Sequence, residues 1–490
     1  MNYRVLAKMI GCLLVLLSLA ESSCLLFAYL DGESGAGFDA VEAFAFSVLA
    51  TVFVGGTLIA LGGRSESELL RRESLCVVGL GWVICTLFGA LPFFLCEPRM
   101  GIVDSIFESV SGFTTTGATV IEDLSHVPRS LLLWRSVTQW LGGMGILVLF
   151  VALLSSFGAS SKALFRHESS AIGTESLSPR IQRISVWLWS IYIGLSIVCF
   201  AGLKLLGMGA FDALCHAFAT VSTGGFGTHN ESVAYFNSLF IELWIVVFMI
   251  LGSVNFMVYA WLFRRQWERW RQDEASKGLL WVIGLGTLVV ALDLYWLEAE
   301  TSLLQSLRQA LFQVVSVLST SGFTTADFGE WPALSEVVLL LMMLIGGCAG
   351  STSGGIKLGR WILFFKIVRQ HLRSAFRPNL VTSLKLNGNA VTDSFRIDTL
   401  FVISIAGVSI CIGTLIVSLL QPDLDIDSCL SATLAVLFNI GPGLGAVGPM
   451  HNYSFLNDMT KIVLSFLMLL GRLEFYALLV LFMPSLWKRY

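Results

Sequence analysis

Long apolar runs separated by short polar stretches dominate the chain. Read as membrane spans they number ten, at approximately 5–30, 39–62, 74–96, 130–157, 183–207, 237–263, 279–299, 332–368, 398–420 and 457–485. The first run lacks a signal-type cleavage site and is long for a signal peptide, so it is read as a helix. Between spans 3 and 4, 5 and 6, 7 and 8, and 9 and 10 lies an additional semi-apolar stretch, at 104–114, 211–221, 307–318 and 427–438. About eleven residues of helix reach roughly 16 Å, half a bilayer, so each such stretch must re-enter and return to the side it came from. Asp104, Asp212 and Asp427 stand where an N-cap is expected, with Ser302 and Ser306 in that neighbourhood of the third stretch. Each half-helix then aims its negative C-terminal end at the membrane interior.

Each half-helix runs into a short glycine segment: Thr115-Thr116-Gly117, Ser222-Thr223-Gly224, Thr320-Ser321-Gly322 and Asn439-Ile440-Gly441. One device repeated four times predicts a pseudo-fourfold arrangement within a single chain. Non-helical backbone at membrane depth is tolerated only where it is buried in protein or lines a water-filled path. Main-chain carbonyls of these twelve residues are therefore the candidate ligands of a dehydrated monovalent cation. Acidic side chains are absent from the segments, so ligation falls to neutral oxygens, which suits potassium better than calcium. The expected fold is an all-α polytopic membrane protein with two N-terminal helices (1–66). Four units of helix, half-helix, filter loop and helix follow, at 67–160, 161–270, 271–385 and 386–490.

Composition agrees: 55% of the 490 residues are hydrophobic and 13% charged, far more apolar surface than a water-soluble core hides. Setting aside Arg99, Arg129, Arg135, Lys204, Arg308, Lys461 and Arg472, the remaining 24 of 31 basic residues fall on the side shared by both termini, so N- and C-termini are expected in the cytoplasm. The ten cysteines and six histidines show no zinc-type spacing.

Two features beneath the filter stand out. Span 8 is interrupted by Gly346-Gly347-Cys348-Ala349-Gly350-Ser351-Thr352-Ser353-Gly354-Gly355, five glycines in ten residues, with Lys357 just beyond. Continuous helix is disfavoured there and an intramembrane loop is expected, the other reading being a small-residue packing face. Arg472 falls deep within span 10, where a charge is costly and functional. Glu474, two residues on, faces elsewhere on a helix; loop carbonyls at 346–355 are the better partners, and a structural ion pair with a neighbouring helix is the alternative. Gly142-Gly143-Met144-Gly145 reads as helix packing. Gly443-Leu444-Gly445-Ala446-Val447-Gly448 matches a dinucleotide-binding pattern but has no strand before it or helix after it, so it is rejected.

At Phe113–Thr119 (FTTTGAT), Asn439–Gly445 (NIGPGLG), Gly346–Lys357 (GGCAGSTSGGIK) and Gly471–Glu474 (GRLE), the chain resembles the Trk/Ktr/HKT superfamily of potassium transporters, in particular its bacterial TrkH/TrkG branch. The resemblance runs over nearly the whole chain. It implies potassium uptake across a bacterial inner membrane and a gate formed by the loop and Arg472. It also implies a homodimer and a cytosolic nucleotide-binding regulatory subunit of the TrkA type. Potassium is the transported ligand; no cofactor of the chain, no nucleic acid and no enzyme activity is expected, and membrane lipid is the surrounding partner. Channel and symport mechanisms stay open. The competing reading is a secondary carrier for another solute, with the broken helix as substrate site.

Overall fold

The computed structural model describes residues 2–33, 39–63, 71–145, 180–297, 302–377 and 383–487. The end of the fourth expected span (146–157), the basic loop that follows it to residue 179, and Glu298 and Glu300 lie outside them. Helices α1 (Tyr3–Asp31) and α2 (Ala40–Gly62) form an antiparallel pair, capped by the side chains of Asn2 and Asp39. Their backbones touch: a β-carbon on Gly11 would lie 2.6 Å from the Gly55 carbonyl oxygen, the small-residue contact that draws membrane helices together.

Four units follow. The first comprises α3 (Arg71–Gly89), α4 (Leu91–Leu95), the half-helix α5 (Ile102–Phe113) and α6 (Arg129–Gly143). In the second, α7 (Arg180–Leu205) leads to the half-helix α8 (Ala210–Val221), then α9 (Leu239–Ser253), α10 (Phe256–Phe263) and the short α11 (Trp267–Gln272). The third holds α12 (Glu274–Leu297), the half-helix α13 (Leu303–Leu318), α14 (Ala333–Met343) and α15 (Leu358–Phe376). The fourth holds α16 (Asp393–Leu420), the half-helix α17 (Ile426–Leu437), α18 (Asp458–Arg472), α19 (Tyr476–Leu479) and α20 (Pro484–Trp487). The chain is a multi-pass helical membrane protein: six described helices are long and apolar enough to cross a bilayer, and up to eight if two bent pairs each count as one.

Three expectations need correction. Spans 6 and 10 are not straight: α9 and α10 meet at 92°, and α18 and the helical turns after it at 117°. Averaged hydropathy is blind to such breaks: apolar residues flank Asn255 at the first, and at the second the charges of Arg472 and Glu474 are outweighed by the apolar residues on either side. The third half-helix has 16 residues and starts at Leu303, earlier than the stretch at 307–318 suggested. Asp104 and Asp212 do not cap their half-helices, since Gly101 and Gly209 hold those places, and Asp427 is the second helical residue behind the cap Asp425. The two aspartates are drawn elsewhere, Asp104 to Lys461 (2.6 Å) and Asp212 to the Thr228 hydroxyl (2.8 Å). Acids in the first turn still suit the positive end of a helix, so the electrostatic part of the expectation survives and the capping part does not. In the third unit Ser302 is the cap, accepting from the Gln305 amide.

Candidate functional site

All four half-helices terminate alike. The residue after the C-cap is Thr115, Thr223, Thr320 or Asn439, with φ of 56°, 54°, 59° and 57°. The next amide returns to the carbonyl five residues back: Thr116 to Ser111 (2.9 Å), Gly224 to Ala219 (2.8 Å), Ser321 to Ser316 (2.9 Å) and Ile440 to Ala435 (2.8 Å). This is a Schellman closure, a motif usually built on glycine. Left-handed backbone at a threonine costs on the order of 1 kcal/mol or more and persists only where the surroundings impose it. Four unrelated half-helix sequences accept that strain at one position.

The closure sets the register of the repeats. Thr115-Thr116-Gly117 corresponds to Thr223-Gly224-Gly225, Thr320-Ser321-Gly322 and Asn439-Ile440-Gly441. The glycines with left-handed backbone are Gly117 (81°), Gly225 (81°), Gly322 (75°) and Gly441 (101°). The expected second segment, Ser222-Thr223-Gly224, is therefore one residue early: Ser222 is the C-cap, and Gly224 occupies the place of Thr116. With this register the segments close on one another. A β-carbon on Gly117 would lie 2.3 Å from the Gly224 carbonyl oxygen, one on Gly225 1.9 Å from Ser321 O, one on Gly322 1.9 Å from Ile440 O, and one on Gly441 2.6 Å from Thr116 O. Unit 1 thus meets unit 2, unit 2 meets unit 3, unit 3 meets unit 4 and unit 4 returns to unit 1. Each glycine of the cycle is required because a neighbouring carbonyl fills the space a side chain would take. On one side of this ring is a cavity of about 120 Å³, lined by all four glycines and by Glu122, Arg135, His229 and Tyr453 among others.

Side chains behind the segments hold them in place. Seven residues before each left-handed position the half-helices carry Glu108, His216, Gln313 and Ala432. Glu108 Oε2 accepts from Val120 N at 3.1 Å, and Gln313, with its amide oxygen turned to the strand, accepts from Thr325 N at 2.9 Å and Ala326 N at 3.2 Å. In the fourth unit the neighbouring Ser431 hydroxyl takes Leu444 N at 2.9 Å. Gln139 on α6 holds both sides of the second segment, donating to Gly224 O (2.6 Å) and accepting from Phe226 N (3.1 Å). Its side chain stands 2.4 Å from where a Gly224 β-carbon would be, which explains the glycine at that place. Asn439 Nδ2 reaches the Thr116 hydroxyl across the junction of units 4 and 1 (3.0 Å), and the Tyr453 hydroxyl donates to Gly441 O (2.8 Å).

Sequence reading gave no role to Glu108, Arg135, Gln139 or Tyr453. One signal was available: Arg135 is a charge within an apolar span, and such a charge demands a partner. Its partner is Glu108, 2.8 Å away, and both side chains are almost fully buried. Glu108→Ala leaves a buried guanidinium uncompensated and is expected to cost about 3–5 kcal/mol. A thermal unfolding scan in detergent checks this, with Glu108→Gln expected to lose less.

Residues 344–357 break the third unit's last span. A two-residue parallel pairing, β1 (Ile345–Gly346) with β2 (Ile356–Lys357), closes the base of the excursion. The bend in α9 and α10 explains how its backbone is satisfied: Ser253 O and Gly252 O, freed by the break, accept from Cys348 N (2.8 Å) and Thr352 N (3.2 Å), and Phe256 N donates to Gly350 O (3.0 Å). The loop lies against the filter segments. Gly354 N donates to the Thr320 hydroxyl at 2.7 Å, the Thr352 hydroxyl sits 3.1 Å from Val221 O, and a β-carbon on Gly354 would lie 2.5 Å from Phe438 O. The Ser351 hydroxyl bonds back to Cys348 O, and the Lys357 ammonium donates to Ser353 O. Gly350 and Gly355 take left-handed backbone, while Gly346 and Gly347 pack on Gly354 O and the Ser353 side chain.

Arg472 ends α18 beside this loop. Its guanidinium donates to Thr352 O (2.9 Å), Gly142 O (2.5 Å) and Gly143 O (3.0 Å), tying the loop to the end of α6. Glu474 pairs with Arg360 on α15 at 2.6 Å. The Gly142-Gly143 run is thus a packing contact, as read, and also an acceptor site: a β-carbon on Gly142 would lie 1.8 Å from Phe113 O. Among the described residues no cluster of His, Cys, Asp and Glu could hold a metal ion.

Half-helices meeting at one cyclic ring of backbone, above an interrupted span, place the chain in the class of membrane proteins built for cation transport. The family model for TrkH, a cation transport protein, matches residues 41–489. The chain belongs to that family. It is 35% identical over 493 residues to the Trk system potassium uptake protein TrkH of Escherichia coli K12, covering all of both chains. To the TrkG protein of the same strain it is 32% identical over 499 residues, covering 99% of each. The crystal structure of the potassium transporter TrkH from Vibrio parahaemolyticus superimposes with a TM-score of 0.88 at 34% identity, again over the whole of both chains.

Proposed function

We propose that this protein takes up potassium, with a dehydrated ion held by carbonyl oxygens of Thr115, Thr116, Gly117, Thr223, Gly224, Gly225, Thr320, Ser321, Gly322, Asn439, Ile440 and Gly441. The observation that carries the reading is the cycle of glycine-to-carbonyl contacts: neutral oxygens from four units around one axis replace a hydration shell without asking the ion to leave a carboxylate. The negative ends of four half-helices converge there and lower the energy of a cation. Names of full-length relatives at 32–36% identity supply the choice of potassium.

Beneath the ring, the loop at 346–355 and Arg472 form the gate: a loop laid against Thr320 and Val221, pinned by a guanidinium, blocks the path until the pinning bonds are released. Lys357 adds a second buried cation at the loop's base. By the same kinship the chain works as a homodimer in a bacterial inner membrane, surrounded by lipid, with both termini in the cytoplasm and a nucleotide-binding regulatory subunit of the TrkA type below. Expression in a bacterium lacking its own potassium uptake systems tests the reading. Growth on limiting potassium is the expected result when a cognate cytosolic subunit is co-expressed. Absence of growth with both proteins in the membrane fraction contradicts it.

A further inference from the structure

We infer that Arg135 is a specificity-determining positioning residue, which sets potassium-over-sodium discrimination by holding the junction between the first and second filter segments. The inference rests on the potassium reading above and extends it to a side chain that touches no ion. The Arg135 guanidinium binds the outgoing strands of two units at once. Its Nε bonds Glu108 Oε1 at 2.8 Å, one terminal nitrogen reaches the Thr119 hydroxyl of unit 1 at 3.2 Å, and the other reaches Gly227 O of unit 2 at 3.1 Å. Its guanidinium carbon lies over the ring of Phe226, also of unit 2, 4.1 Å from the centroid. Glu108 completes the clamp, accepting from the Thr119 hydroxyl with both oxygens at 3.0 Å and from Val120 N.

One residue, Ala118, separates Gly117 from Thr119, and one, Phe226, separates Gly225 from Gly227. The contact of Gly117 with Gly224 O is therefore bracketed from outside by one rigid planar fork. Gln139, one turn further along the same face of α6, takes Gly224 O itself. Units 4 and 1 are joined by separate bonds, Asn439 to the Thr116 hydroxyl, Tyr453 N to Thr119 O and the Ser454 hydroxyl to Glu122, and units 2 and 3 by Thr324 N to the Ser232 hydroxyl; none of these is a buried, ion-paired fork that grips both strands with one side chain. A sodium ion is smaller than potassium and is coordinated well only if the oxygens close in around it. A ring that cannot close keeps the larger ion favoured, and the junction with the stiffest tie is the one whose release matters most. Burial of the pair, 2% exposed for Arg135 and 0% for Glu108, removes the water that would weaken it.

Two variants separate positioning from folding. Arg135→Lys keeps the charge beside Glu108 but cannot span three partners, and Thr119→Val keeps the ion pair and the volume but removes the shared hydroxyl. The full-length protein is reconstituted in liposomes with its cytosolic regulatory subunit, and potassium and sodium fluxes are measured together with the thermal midpoint. The expected result is sodium permeation relative to potassium raised about tenfold in Arg135→Lys, the equivalent of one charged hydrogen bond, and raised less in Thr119→Val, whose midpoint stays near that of the unaltered protein. A flux ratio unchanged in Thr119→Val and in any Arg135→Lys protein that folds overturns the inference. If the unaltered protein itself carries no potassium, it is the potassium reading that fails.

Discussion

Gly225→Ala is expected to abolish potassium uptake in protein that still reaches the membrane, whereas Gly224→Ala retains a measurable part of it. The two glycines are adjacent, but their surroundings differ in kind. Gly225 has φ of 81°, and a β-carbon there would lie 1.9 Å from the Ser321 carbonyl oxygen, a backbone atom of the next unit. Left-handed strain costs about 1–3 kcal/mol and overpacking about as much again. A penalty of even 2 kcal/mol is roughly a thirtyfold loss of the competent ring. At Gly224 the obstacle is the end of the Gln139 side chain, which can rotate away at the expense of two hydrogen bonds. Rubidium uptake by cells expressing each variant at matched membrane levels separates them. Equal loss in both, or greater loss at Gly224, would restore the earlier register and remove the ring as drawn.

That register shows where the sequence stops being informative. The pair Gly224-Gly225 aligns with the single glycines of the other segments in two ways, and only backbone angles decide between them. The four half-helices were legible because a stretch too short to cross a bilayer has few alternatives, and the broken span was legible because five glycines in ten residues oppose helix. The right-angled break before Asn255 was not, since Val254 and Phe256 continue the apolar run on either side. Yet that break supplies the Gly252 and Ser253 carbonyls on which the loop is built, so the two irregularities complete each other. Side-chain partners such as Glu108 with Arg135, 27 residues apart on different elements, likewise follow from the tertiary fold alone.

Arg472→Ala is expected to raise potassium flux in the absence of the regulatory subunit by about tenfold or more. Three guanidinium hydrogen bonds to Thr352, Gly142 and Gly143 carbonyls hold the loop in place. Losing even one charge-assisted bond is worth about 1.5–3 kcal/mol, and 1.4 kcal/mol is a tenfold shift in the closed-to-open ratio. Removal of the positive charge lowers the electrostatic barrier to a cation as well. Arg472→Lys, with charge but no fork, should fall between. Liposome flux without the partner reads the effect directly. A variant that folds and stays as quiet as the unaltered protein contradicts the gating role, and one that fails to assemble assigns Arg472 to structure instead.

The most direct test of the central claim is to locate the ion. Crystals or vitrified particles prepared in rubidium or thallium, both potassium surrogates of higher scattering power, should show density on the axis of the four segments, coordinated by carbonyl oxygens at the level of Thr116, Gly224, Ser321 and Ile440. An axis empty at that level, with density instead at the loop of residues 346–355 or confined to the cavity beside Glu122 and His229, would contradict it.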